Sequence, residues 1–106
     1  MAEFVTVAKT AEIAPGTVKV ISVDGVPMGI ANVDGEFYAF GDVCTHDDGP
    51  VAEGELDEYQ IECPRHGARF DIRTGAVKRL PAPAPIPVFP LRVEGDEIQV
   101  SPQPKK

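Results

Sequence analysis

Basic residues are scarce in this chain, and so are cysteine, histidine and uninterrupted apolar runs. Ten Lys and Arg stand against seventeen Asp and Glu in 106 residues, a formal net charge of −7, which argues against nucleic acid as a partner. Pro, Gly or charge breaks the apolar stretches every few residues, so no segment is long enough to span a bilayer. The opening residues, Met1-Ala2-Glu3-Phe4, form neither a basic nor an apolar leader. The expectation is a cytoplasmic chain with no signal peptide and no membrane anchor, its two cysteines kept reduced. Two cysteines and two histidines are all the chain has. Beyond the motif that uses them, nothing remains for a second metal site such as a two-histidine, one-carboxylate iron centre. The expectation from 106 residues is also that no further catalytic domain is present.

What is present suits one small β-rich unit. A hydrophobic content of 42% is ordinary for a globular domain, and 25% charged residues do not suggest disorder. Eleven prolines and ten glycines point to turns and loops rather than long helices. Phe4 to Val7 reads as a first strand, and Glu12 to Gly16 as a turn-bearing connection. Thr17 to Val23 is rich in β-branched residues; Asp24-Gly25 then turns the chain into Val26 to Val33, and Asp34-Gly35 turns it again into Glu36 to Phe40. Asp-Gly tolerates the positive φ that matches strand twist, so two such pairs ten residues apart predict a meander. From Gly41 to about Asp71 the pattern changes to loops with short strands near Glu55-Leu56 and Tyr59 to Glu62. Asp71 to Ala76 reads as strand and turn, and Leu91 to Val93 pairs with Glu97 to Val100 as a closing hairpin. Ser101 to Lys106 is a polar tail.

Within the loop-rich stretch stand Cys44-Thr45-His46 and Cys63-Pro64-Arg65-His66, with sixteen residues between His46 and Cys63. Each pair offers one thiolate and one imidazole, donors of borderline softness that converge on metal without strain. A zinc ion accepts the same four ligands, but zinc modules usually keep cysteines in one close pair and histidines in another. Mixed pairs suit a dinuclear cluster gripped from two sides. Gly49-Pro50, Pro64 and Gly67 make the loops tight, bringing backbone N–H groups toward an anion such as a bridging sulfide. A Cys44–Cys63 disulfide would leave both histidines unexplained.

The order C-x-H, sixteen residues, C-x-x-H resembles the ligand motif of Rieske iron–sulfur proteins. The resemblance implies one [2Fe–2S] cluster per chain, with the cysteines on one iron and the histidines on the other: Cys44 and Cys63, His46 and His66. It also implies an all-β fold, a Rieske-like antiparallel sheet sandwich with a small cluster-binding subdomain inserted between strands. The whole chain, 1–106, would be a single Rieske domain, its basal sheet at 1–41 and 72–106 and its cluster subdomain at about 42–71. Pro81, Pro83, Pro85, Pro87 and Pro90 form an unusual run, and Pro81-Ala82-Pro83 sits where a proline loop would pack beside the cluster.

Two departures separate the chain from the high-potential, quinol-oxidising branch of that family. The extra cysteine of each loop is replaced by neighbourhoods reading Asp47-Asp48-Gly49 and Pro64-Arg65, and hydroxyl donors toward the cluster are replaced by Ala68 and Phe70. Fewer donors toward sulfur lower the potential. The sequence is therefore similar to the soluble ferredoxins of multicomponent aromatic-ring oxygenases. The resemblance implies a monomeric one-electron carrier, not an enzyme, fed by a flavin-containing NAD(P)H-dependent ferredoxin reductase and emptied by a terminal non-haem iron oxygenase. The alternative is an accessory or small-subunit role in a nitrite reductase or iron–sulfur assembly system. Acidity favours partners with basic patches, and Arg65, Asp47 and Asp48 beside the histidine ligands are the steering candidates.

Overall fold

Short strands make up nearly all the regular structure among the described residues, which Pro, Gly and Asp-Gly punctuate at short intervals. The computed structural model describes residues 4–42, 54–62, 68–79 and 85–104. In chain order the strands are β1 (Val5–Lys9), β2 (Val18–Val23), β3 (Val26–Val33), β4 (Glu36–Gly41), β5 (Leu56–Asp57), β6 (Gln60–Glu62), β7 (Arg69–Asp71), β8 (Val77–Arg79), β9 (Val88–Phe89), β10 (Leu91–Glu94) and β11 (Glu97–Val100). A single turn of 3-10 helix, Thr10–Glu12, is the only helical element among the described residues.

The strands form three antiparallel sheets: β1-β11-β10, a central β2-β3-β4-β9, and a small β5-β6-β7-β8. Both Asp-Gly pairs turn hairpins as expected. Asp24 and Asp34 have φ of 51° and 52°, and the glycines after them 79° and 91°, so both central positions carry the positive φ that a two-residue hairpin loop requires. The expected meander β2-β3-β4 and the closing hairpin β10-β11 are both present.

The middle of the central sheet, β3 and the second half of β4, is buried on both faces, while β2 keeps Val20 half exposed. Successive side chains of a strand point to opposite sides, and here both sides find apolar partners. Met28, Ile30 and Ala39 face Ala8, Ile98 and Val100 of the β1-β11-β10 sheet, with Ile13, Val23 and Phe89. Ala31, Val33 and Phe40 face Ile61, Phe70 and Ile72 of the small-sheet segment, with Ile86 and Val88. This is why six consecutive residues of β3, Met28 to Val33, are buried rather than every second one.

Several details differ from the sequence reading. The first strand lies at Val5–Lys9, one register further along, and 3-10 helix follows it before the expected connection. The small sheet runs on through β8, past the expected subdomain boundary near residue 71. Strands β8 and β9 are not among the expected strands: the proline run from Pro81 to Pro90 follows the first closely and encloses the second. Strand β9 sits at the sheet edge with Pro87 and Pro90 on either side, positions where a missing N–H breaks no ladder bond.

One buried polar side chain ties the sandwich together. Asn32, 4% exposed, donates from its amide nitrogen to the Ile13 carbonyl at 2.7 Å, while its Oδ1 accepts from the Gly35 N–H at 2.8 Å. Its main chain bonds Gly16 and Thr17 as well. Asn32→Ala therefore leaves a buried carbonyl and an N–H without partners. It should lower unfolding stability by about 2 kcal/mol, read as a lower urea midpoint with an unchanged slope.

Candidate metal centre

The small sheet decides where the segments carrying the candidate ligands are rooted. Leu56 pairs with Ile61, Glu62 with Arg69, and Arg69 with Arg79, and the Glu62 N–H donates to the Glu55 carbonyl at 2.9 Å. In this antiparallel order the start of β5, the end of β6, the start of β7 and the end of β8 share one end of the sheet. Cys63 directly follows Glu62, and His66 precedes Arg69 by three residues. The segment carrying Cys44 and His46 returns at residue 54, next to Glu55, which meets Glu62 at the end of β6. Its other end leaves from Gly41 and Asp42, whose N–H groups donate to Pro87 and Pro27 carbonyls at 2.8 and 3.1 Å. Cys44, His46, Cys63 and His66 themselves lie outside the described residues, as do Asp47, Asp48, Gly49, Pro50, Pro64, Arg65, Gly67, Pro81 and Pro83.

A charged clasp closes the root of the second loop. Arg69 Nε donates to Glu62 Oε1 at 2.9 Å and Arg69 Nη1 to Asp57 Oδ2 at 3.1 Å, so three adjacent strands share one guanidinium. Glu62 and then Asp57 hold its proton more tightly than an ordinary arginine's. On the opposite face Ala68 and Phe70 are fully buried in the seam between the small and central sheets.

The far end of the small sheet carries a second ion pair. The Asp71 carboxylate, 5% exposed, accepts from the Arg73 main-chain N–H at 2.8 Å, from Nε at 3.1 Å and from Nη2 at 2.9 Å. The Arg73 guanidinium lies 4.1 Å from the centre of the Tyr59 ring, and Tyr59 meets Tyr38 of β4 edge-to-face at 5.8 Å. Burial pushes the Tyr38 hydroxyl above its ordinary pKa. Near this face a depression of about 370 Å³ sets Asp57, Glu58 and Asp71 against Arg69, Arg73 and Lys78, so it offers no net charge to a ligand.

Sequence reading missed Arg69, Asp71 and Arg73. The Asp71-x-Arg73-Thr74-Gly75 spacing carries a turn signal, since an Asp side chain bonds the N–H two residues on. The Arg69 clasp has no local signal, because its partners come from different strands.

The donor set fits an iron–sulfur cluster: two thiolates and two imidazoles, on loops that the sheet roots at one end. A model of the Rieske [2Fe–2S] domain matches residues 3–90, and the chain belongs to that family. It is 37% identical over 94 residues to the ferredoxin component of biphenyl 2,3-dioxygenase from Rhodococcus jostii RHA1, covering 89% of this chain and 88% of that one. Identity is 42% over 90 residues to the biphenyl dioxygenase ferredoxin subunit of Pseudomonas sp. KKS102, covering 84% and 83%. A solved complex of reduced oxygenase and oxidised ferredoxin in carbazole 1,9a-dioxygenase contains a chain 34% identical, with a TM-score of 0.92 and coverage of 97% and 96%. The chain is an electron-transfer protein that binds one [2Fe–2S] cluster, and is not itself the oxygenase. None of the helices among the described residues is long and apolar enough to cross a membrane.

The Asp71–Arg73 pair carries a pH signature. Arg73 holds the Asp71 carboxyl below the usual carboxylate range. A depressed folded-state pKa stabilises the fold above the unfolded value of about 3.9, and that stability is lost as pH falls through the lower folded value. Thermal unfolding followed from pH 6 downward should show the loss. Asp71→Asn should flatten that part of the profile and remove about 1–2 kcal/mol at neutral pH, the half-exposed Arg73 limiting the effect.

Proposed function

We propose that this chain carries single electrons from a flavin-containing NAD(P)H-dependent reductase to a terminal non-haem iron oxygenase, acting in the cytoplasm as a monomer. Cys44 and Cys63 hold one iron of the cluster, and His46 and His66 hold the other. The chain works as one Rieske domain in which the segment around 42–71 serves the cluster and the larger sheets serve as its base. The observation that carries this reading is the common root: the strand ends flanking Cys63 and His66, and the return from Cys44 and His46, lie at one end of the small sheet. Relatives matched over more than four-fifths of their length are dioxygenase ferredoxins, which favours the carrier over the accessory-subunit alternative.

When bound, the cluster supplies a one-electron redox couple. The chain's residues do the rest. The two thiolates offset the charge of the oxidised cluster, so reduction leaves a net negative charge, and apolar surroundings without donors disfavour it. Ala68 and Phe70, both buried and without hydroxyls, bring none. The imidazoles each keep one ring nitrogen free to hold a proton, so the potential should fall as pH climbs through the oxidised-state pKa values.

The purified chain should be red-brown and reducible by one electron, near the bottom of the Rieske range of roughly −150 to +300 mV. NADH with a flavoprotein reductase should reduce it, and a terminal oxygenase should reoxidise it. A colourless, zinc-loaded chain would sink this reading. Ala68→Ser and Phe70→Tyr should each raise the potential by voltammetry. A bond worth about 1.5 kcal/mol more in the reduced state corresponds to about 60 mV for one electron. Cys44→Ser or Cys63→Ser should abolish the visible spectrum, and amide exchange should rise in β5 to β7 while the β1-β11-β10 sheet stays protected.

A further inference from the structure

The first ligand loop departs from a point that leaves no spare space. Gly41 pairs with Met28 on one side and donates its N–H to the Pro87 carbonyl at 2.8 Å on the other. A Cβ added at Gly41 would lie 2.6 Å from Pro87 Cγ and 3.0 Å from Cδ, closer than atoms tolerate, and a proline ring has no rotamer by which to move aside. One residue earlier, Ile86 is held as firmly. Its N–H donates to the Gly75 carbonyl at 3.0 Å. Gly75 itself stands at φ 84°, where a Cβ would collide with the Ile86 carbonyl oxygen. The Ile86 side chain is 3% exposed, packed among Phe40, Phe70 and Ile72.

We infer that the Ile86–Pro87 segment, seated on Gly41 and Gly75, is a strap that positions the root of the first ligand loop. Two glycines, one at the end of β4 and one in the β7–β8 turn, admit the strap at backbone distance. Its contacts therefore couple the base of the loop to both the central and the small sheet. Asp42, whose N–H meets the Pro27 carbonyl at 3.1 Å, stands two residues before Cys44. A strap pushed off Gly41 moves the root from which Cys44 and His46 depart. Gly41 and Gly75, which admit the strap's main chain, are thus positioning residues, and this role rests on the ligand assignment proposed above. Loosening the root admits water, which favours the more highly charged reduced state and raises the potential. It also speeds loss of iron.

The test uses the full-length, cluster-loaded chain. Gly41→Ala should raise the reduction potential, alter the visible circular dichroism and speed bleaching by a chelator severalfold, with the far-ultraviolet sheet signal retained. Gly41→Ala combined with Pro87→Ala, which removes the ring atoms the new methyl would strike, should return all three toward wild type. Pro87→Ala alone should stay near wild type, since the Gly41 N–H bond to its carbonyl survives. Wild-type potential and bleaching in Gly41→Ala would overturn the inference, as would a double variant that keeps the shift of the single one. If Gly41→Ala does not fold, the double variant decides: wild-type cluster properties support the strap, and failure to fold overturns it. A wild-type chain with no [2Fe–2S] spectrum would bring down the ligand assignment instead, a result separable from all of these.

Discussion

One pair of strands packed on both faces holds this fold together. Strands β3 and β4 put Met28, Ile30 and Ala39 into one apolar layer and Ala31, Val33 and Phe40 into another. Neither neighbouring sheet is large enough to enclose a core alone; the small one has strands of only two or three residues. Short strands of this kind are stable only when docked on a hydrophobic face. The strand ends at Glu62 and Arg69 are therefore placed by the packing of Ile61, Phe70 and Ile72 against the central sheet.

That arrangement divides labour across the small sheet. Inside, Ala68 and Phe70 give the second loop a dry, donor-poor base. Outside, the guanidinium of Arg69 spans Glu62 and Asp57 and so sets the spacing of the strands from which the loop leaves. A metal site needs supporting residues that settle its geometry before the metal arrives. Under the proposed ligand assignment, those supports would be one ion-pair clasp, two glycines that admit a neighbouring backbone, and an apolar seam.

The parts of this architecture that a linear reading captures are those whose chemistry is local. Asp24-Gly25 and Asp34-Gly35 declare their turns because positive φ at both positions suits few other residues. The pairing of β10 with β11 is legible for a similar reason, an alternating run on each side of Glu94-Gly95-Asp96. Cys44, His46, Cys63 and His66 stand out by residue type and spacing, although their side chains lie outside the described residues. What stays hidden depends on long-range contact. Asn32 falls in the expected strand Val26 to Val33, but nothing local shows that its side chain is buried between the Ile13 carbonyl and the Gly35 N–H. Gly41 and Gly75 read as ordinary loop punctuation until Pro87 and Ile86 are seen against them. Strand β9 exists because β4 offers it an edge, and the sequence around Pro87 and Pro90 gives no reason to expect it.

The contact between Tyr38 and Tyr59 has an optical consequence. The chain has two tyrosines and no tryptophan, and these two rings meet 5.8 Å apart across the seam between β4 and the β5–β6 turn. Both tyrosines, the fluorophores excited above the phenylalanine band, therefore sit at the junction where the small sheet docks on the central one. Tyrosine emission, once corrected for quenching by the iron, reports that junction alone, with no background from the rest of the molecule. Undocking of the small sheet would separate the rings and free Tyr59 from the Arg73 guanidinium. Partial opening of this protein should thus be visible in a cuvette without any label.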